Sequence, residues 1–144
     1  INEILTDAMF ERSISHPEEF DIVVTTNLNG DYLADALAAL VGGIGIAPGG
    51  NINYETGVAV FEATHGTAPS IVGKDMANPC SLLLSGVMLL NYLGWVECAQ
   101  LIEKAIENAI RQRVVTFDFF EQMENAELVG THVFADQIIQ SMRA

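Results

Sequence analysis

Basic residues are scarce in this sequence. Six lysines and arginines stand against 19 aspartates and glutamates, a formal net charge of −13 in 144 residues. That balance argues against long-range attraction to nucleic-acid backbones or to an anionic membrane surface. Cysteine is nearly absent as well. Cys80 and Cys98 lie far apart, form no CxxC pattern and sit in apolar helical contexts. They read as reduced, buried thiols in a cytoplasmic protein. No apolar run is long enough for a bilayer: Cys80 to Leu93 falls short of the roughly 20 residues a span needs, and Ser81, Ser85 and Asn91 interrupt it. A buried helix is expected there. A strand–GxGxxG–helix fingerprint for dinucleotides is also missing. The chain opens on Ile1 without a basic region, an apolar run and a small-residue cleavage site. No signal peptide is expected, and the interior-looking start suggests a fragment boundary or processing.

Half of the residues are hydrophobic and 17% are charged, which suits one globular unit able to bury roughly two-thirds of its unfolded surface. Apolar spacing predicts a first helix from Ile1 to about Ser13, stopped at His16-Pro17 because proline disfavours helical backbone before it. DIVVTT, Asp21 to Thr26, reads as a buried strand. Asn27 to Gly30 reads as a turn, and Asp31 to Val41 as a helix anchored by Leu33, Ala36, Leu37 and Leu40. Gly42 to Gly57 reads as loop with a short extended piece at Ile44 to Ile46. A strand follows at Val58 to Ala63, then a loop at Thr64 to Pro69. Helices are expected at Cys80 to Leu93 and Trp95 to about Arg113, with a turn at Gly94. The second carries Ala99, Ile102, Ala105, Ile106, Ala109 and Ile110 on one face. An extended piece at Val114 to Thr116 and helices near Asp118 to Asn125 and Ala135 to Met142 complete the chain. Alternating strands and helices define an α/β class. No repeat, low-complexity tract or linker divides it.

Asp31 and Asp35 are the first candidate for chemistry. Residues four apart share a helix face, so two carboxylates can converge on one ion. Hard oxygen ligands suit Mg²⁺ or Mn²⁺. The spacing alone equally allows Asp31 to cap the helix and Asp35 to be solvated. The glycines of GGIGIAPGG and the tripeptide His65-Gly66-Thr67 would, unaided, be a surface loop and a turn.

Order and neighbourhood change that reading. NLNGDYLADALAALVGGIGIAPGGNI, then FEATHGTAP, then Asn78-Pro79, together resemble the C-terminal region of bacterial-type isocitrate dehydrogenases. These belong to the isocitrate/isopropylmalate family of β-decarboxylating dehydrogenases. The blocks cover nearly the whole chain in the right order. The resemblance implies a three-layer α/β/α fold that is not a Rossmann fold, and a C-terminal part, residues 1–144, that lacks the enzyme's N-terminal part. It also implies that Asp31 and Asp35 hold the metal that chelates isocitrate, with Asp7 reaching the site of the neighbouring subunit. Hydride would leave C2 of isocitrate for the nicotinamide, and the cation would stabilise the charge left as CO₂ departs to give 2-oxoglutarate.

For the cofactor, the resemblance implies that His65, Gly66, Thr67 and Ala68 wrap the adenosine end and that Ile44 and Asn78 meet the adenine. Glu62 would lie near the nicotinamide and Asp118 near the ribose. Members that use NADP carry Lys-Tyr after HGTAP and a Tyr and Arg four apart further on. Ser70, Ile71, Phe117 and Glu121 stand at those positions here. All the phosphate donors are missing, and Glu121 would repel a 2′-phosphate by about 1 kcal/mol or more if partly desolvated. NAD is therefore expected over NADP, although Ser70 accepts ribose hydroxyls less strongly than the aspartate of many NAD-using members.

Cys80 to Leu93 is apolar around most of its circumference, and the resemblance implies that it and its helical partner form a homodimer interface. No arginine cluster for the isocitrate carboxylates is present, and the acid–base Tyr and Lys are expected outside this sequence. No catalytic residue is assigned here, and the chain alone is not expected to turn over isocitrate. Two alternatives remain open: part of a homoisocitrate or isopropylmalate dehydrogenase, or a non-catalytic dimerisation or nucleotide-sensing module.

Overall fold

A computed structural model describes residues 2–143. It falls into two compact units, Ile1–Val41 and Gly42–Ala144.

In the first unit, helix α1 (Thr6–Ser15) packs against helix α2 (Asn27–Val41). Met9 of α1 and Leu33 of α2 are buried. The stop at His16-Pro17 holds: His16 N–H donates to the Arg12 carbonyl, and a 3-10 turn follows at Pro17–Glu19. Two expectations fail here. The expected strand at 21–26 pairs with no strand among the described residues, and Ile22 and Val24 are 85% and 92% exposed. β-branched residues favour a pleated, half-buried surface, and this unit supplies no sheet for them to join. The expected turn at 27–30 is already helix, with Gly30 N–H donating to the Thr26 carbonyl. Asp31 therefore lies inside α2 and is no cap. The expected anchor is partly met, since Leu33 is buried but Leu40 is exposed.

The second unit begins with a 3-10 turn at Ile44–Ile46, where an extended piece was expected. Gly42 and Gly43, with φ of 136° and 109°, swing the chain around so that Ile46 N–H reaches the Gly43 carbonyl. The extended segment comes just after it. Strand β1 (Pro48–Ile52) pairs antiparallel with β2 (Ala59–Ala63), in a register that sets Gly49 opposite Glu62. Helix α3 (Cys80–Tyr92) packs on both strands and then against α4 (Val96–Arg111), across the turn at Gly94. Strand β3 (Val114–Val115), the short helix α5 (Phe117–Phe120) and strand β4 (Glu127–Leu128) follow, with β3 and β4 parallel. Helix α6 (Thr131–Ser141) starts earlier than its apolar spacing suggests and closes on α4.

Every residue named for the inner face of α4 is buried or half-buried, with Ala99, Ala105 and Ala109 at 0–1% exposure. The core gathers Cys80, Ala105, Ile106, Ala109, Val115, Phe119, Phe134 and Ile138. Helices and two two-stranded sheets mix along the chain, consistent with an α/β fold. Among the described residues no helix is long and apolar enough to cross a membrane.

Candidate cofactor and metal sites

Asp31 and Asp35 are exposed and stand one turn apart on α2, so their carboxylates share a face. Asp7 is exposed on α1, with its Oδ1 accepting the Ala8 N–H at 2.9 Å. Among the described residues no three acidic, histidine or cysteine side chains gather closely enough to cage a metal. The donor chemistry of Asp31 and Asp35 fits a hard divalent cation, as two of the six oxygens it takes. Asp7 is not brought into one cluster with them within this chain.

The cofactor candidates lie in the second unit, on a framework built by buried hydroxyls. Ser81 and Ser85, one turn apart on α3, are 0% and 1% exposed. The Ser85 hydroxyl, with one proton to donate, lies 2.7 Å from the carbonyls of both Glu62 and Ser81 and accepts the Gly49 N–H at 3.1 Å. The Ser81 hydroxyl donates to the Ala47 carbonyl at 2.5 Å and accepts the Thr64 N–H at 3.3 Å. Thr64 Oγ1 donates to the same Ala47 carbonyl at 3.0 Å. The end of β2, with Glu62 on it, is thus fixed to α3 immediately before His65. Glu62 is exposed, and its Oε1 accepts a hydrogen bond from Asn51 Nδ2 at 3.4 Å.

His65 to Ser70 are exposed and Ile71 is half-buried. His65 Nδ1 lies 3.0 Å from the Gly66 carbonyl. Ala68 has a φ of 42°, and its carbonyl accepts the Ile71 N–H at 3.0 Å, closing a turn. Further on, Asp75 fastens this segment to α6. Its Oδ1 accepts the His132 N–H at 3.1 Å and lies 2.6 Å from His132 Nδ1, and its carbonyl accepts the Thr131 N–H at 3.0 Å. Hydrogen bonds from the His132 side chain, then from its backbone, hold the Asp75 carboxyl below its ordinary value.

Asn78 is buried and fully engaged on two sides. Its Oδ1 accepts the Cys80 N–H at 3.0 Å at the start of α3, and its Nδ2 donates to Asp118 Oδ2 at 2.9 Å. The other oxygen of Asp118 accepts the hydroxyl of Thr116, itself 0% exposed, at 2.6 Å. Gly45 presses on the same pair: a Cβ there would stand 2.8 Å from Asp118 Oδ2 and 3.0 Å from Asn78 Cβ. Ile44 is the exposed neighbour of that glycine. The structure therefore joins Asn78, Asp118 and the turn that carries Ile44, as three separate stretches of sequence. Phe117 and Glu121 stand one turn apart at α5, with Glu121 N–H donating to the Phe117 carbonyl at 3.1 Å.

Cys80 is buried as expected, and burial, followed by the negative charge of Asp118, pushes its thiol up to about 12. It stays protonated. Cys98 is free but exposed, contrary to the expectation of two buried thiols. Sequence reading assigned no role to Thr116, Gly45, Ser81 or Ser85. Ser81 and Ser85 did leave a signal, two hydroxyls four apart on an otherwise apolar helix.

Paired carboxylates on a helix of the first unit, and in the second unit a glycine-rich loop without the GxGxxG spacing, fit a metal-dependent, dinucleotide-using dehydrogenase. Residues 1–138 match the model of the isocitrate/isopropylmalate dehydrogenase family, and the chain belongs to that family. It is 52% identical over 143 residues to an isocitrate dehydrogenase (NADP) of Staphylococcus aureus strain Mu50, covering 99% of this chain and 34% of that protein. With an isocitrate dehydrogenase (NADP) of Streptococcus salivarius it shares 54% identity over 142 residues, 99% of this chain and 36% of that one. The chain thus spans about a third of the length of these curated relatives. The crystal structure of isocitrate dehydrogenase from Methylococcus capsulatus matches at a TM-score of 0.87 and 38% identity, over 96% of this chain and 40% of that one.

Proposed function

We propose that this chain is the C-terminal part of an enzyme that oxidatively decarboxylates isocitrate to 2-oxoglutarate with reduction of a nicotinamide dinucleotide. The observation that carries this reading is the family match over residues 1–138, joined to 52–54% identity with relatives named isocitrate dehydrogenase. Homoisocitrate and isopropylmalate are weaker alternatives because both of those relatives bear the isocitrate name. In this reading Asp31 and Asp35 hold Mg²⁺ or Mn²⁺, with Asp7 serving the neighbouring subunit. The bound cation supplies positive charge beside the substrate oxygen where negative charge develops. The His65–Ala68 segment, Ser70, Ile71, Asn78 and Asp118 take the adenosine half of the dinucleotide, Ile44 meets the adenine and Glu62 attends the nicotinamide.

For the cofactor we favour NAD. Ser70, Ile71, Phe117 and Glu121 offer no cation to a 2′-phosphate, and exposed Glu121 repels one. The names of the relatives favour NADP as a second reading. Lys74, the one lysine or arginine between Thr64 and Pro79, would then be the phosphate donor. Initial rates of the full-length protein with each dinucleotide decide between them. A lower KM for NAD is expected, unchanged in Lys74→Gln; a preference for NADP that Lys74→Gln removes would establish the second reading.

A homodimer fits the surface of α3 and α4, where Leu82, Trp95, Val96 and Leu101 are about half exposed or more, at 62%, 60%, 47% and 48%. Two free cysteines suit the cytoplasm.

A further inference from the structure

We propose that Asp75, Gly130 and Thr131 are positioning residues: they clasp the end of the 65–74 segment to α6 and so hold that segment in the shape that receives the dinucleotide. The proposal rests on the reading of the His65–Ala68 segment, Ser70 and Ile71 as the adenosine site, and adds what keeps them in place. Residues 65–70 and 72–74 are exposed, and Ile71 is only half-buried. Among the described residues, the hydrogen bonds of 65–74 stay within the segment, as from Ile71 N–H to the Ala68 carbonyl and from Lys74 N–H to the Ile71 carbonyl. With little burial and no outward bond, the path of the segment is set at its ends. At the near end, Thr64 N–H donates to Ser81 Oγ on α3.

The far end is held by the first residues of α6. The Asp75 carbonyl accepts the Thr131 N–H at 3.0 Å, Asp75 Oδ1 accepts the His132 N–H at 3.1 Å, and the Thr131 hydroxyl donates to the Ala77 carbonyl at 2.5 Å. Gly130 permits the approach: a Cβ there would stand 2.9 Å from the Asp75 carbonyl oxygen and nearer still to its carboxylate. The anchor is firm, because Phe134 and Ile138 of α6 are 0% and 1% exposed in the core. An exposed segment free at one end samples many conformations, and a ligand must then order it on binding. Fixing a loop in its bound shape beforehand raises affinity by removing that cost.

Two substitutions open the clasp from the α6 side. Gly130 has a φ of −78°, which alanine adopts, so Gly130→Ala acts by displacing Asp75. Thr131→Val keeps the backbone N–H and deletes the hydroxyl. In the full-length protein, each should raise the dinucleotide KM roughly three- to tenfold, the scale of one lost hydrogen bond, with kcat and the isocitrate KM little changed. Thr131→Ser should restore it. Limited trypsinolysis supplies a readout that a general loss of stability would not give. Lys74 is the one lysine or arginine between Thr64 and Pro79, and Lys104 lies within α4. Local opening of the segment should speed cleavage after Lys74 but not after Lys104, and saturating dinucleotide should slow it. Folding is checked by circular dichroism, and Gly130→Ala carries the test if Thr131→Val does not fold. Folded variants with an unchanged dinucleotide KM, or with cleavage faster at both lysines alike, overturn the proposal. The wild type separates the two levels. If dinucleotide does not protect its Lys74 site, the adenosine placement is wrong and the clasp falls with it; if it does while the variants keep their KM, only the clasp is wrong.

Discussion

Asp75 shows how one side chain can organise a loop. Its backbone has a φ of 52°, unusual for a residue with a Cβ, and its carboxylate and carbonyl receive the first N–H groups of α6. Helix N-termini leave such groups without intrahelical partners, and an acid there is favoured. The carboxyl is held below its ordinary value of 3.8, so its contribution to stability is fully present above that value. It disappears as pH falls through the lower folded value. Asp75→Asn should therefore reduce the melting temperature at neutral pH, and the gap from wild type should narrow as pH drops below 3.8. Exposure of the pair keeps the effect modest. A gap that stays constant down to pH values where the protein unfolds would contradict this account.

At the scale of elements, α3 is the hub, and its buried hydroxyls tie the strands to it. Removing the Ser85 hydroxyl strands the Gly49 N–H, and removing that of Ser81 strands the Thr64 N–H, although the Ala47 carbonyl keeps its bond from Thr64 Oγ1. Ser85→Ala and Ser81→Ala should each cost about 1–3 kcal/mol, the range for a buried polar group left unpaired. Urea denaturation of both variants measures the losses, and an unchanged stability in either would contradict this role for its hydroxyl. Elements with their own periodicity were legible in the sequence. The buried face of α4 follows from alanines and isoleucines at helical spacing, and the Gly94 turn from a single residue with φ of 81°. Residues 21–26 were misread because strand propensity needs a neighbouring strand to become a strand, and a local pattern carries no news of one. Ile44–Ile46 was misread because two glycines ahead of it set the path. Among the site residues, the ordered blocks pointed to Asn78 and Asp118 separately. Their hydrogen bond joins positions 40 residues apart and was invisible to any local pattern.

For the molecule as a whole, exposed apolar residues on α3 and α4 coexist with a net charge of −13. The charge and the apolar face act in opposite directions. Copies of this polypeptide repel one another over a Debye length of about 10 Å at 0.1 M ionic strength, which shrinks to about 3 Å at 1 M. Apolar surface such as that exposed on α3 and α4 attracts only at contact. The 144-residue polypeptide should therefore grow in mean scattering mass as sodium chloride rises, and a mass independent of salt would count against this balance. The turn at Gly94 joins α3 and α4 into one continuous hairpin. Colloidal behaviour of the polypeptide is then set less by how much oil it shows than by how well its acid coat is screened.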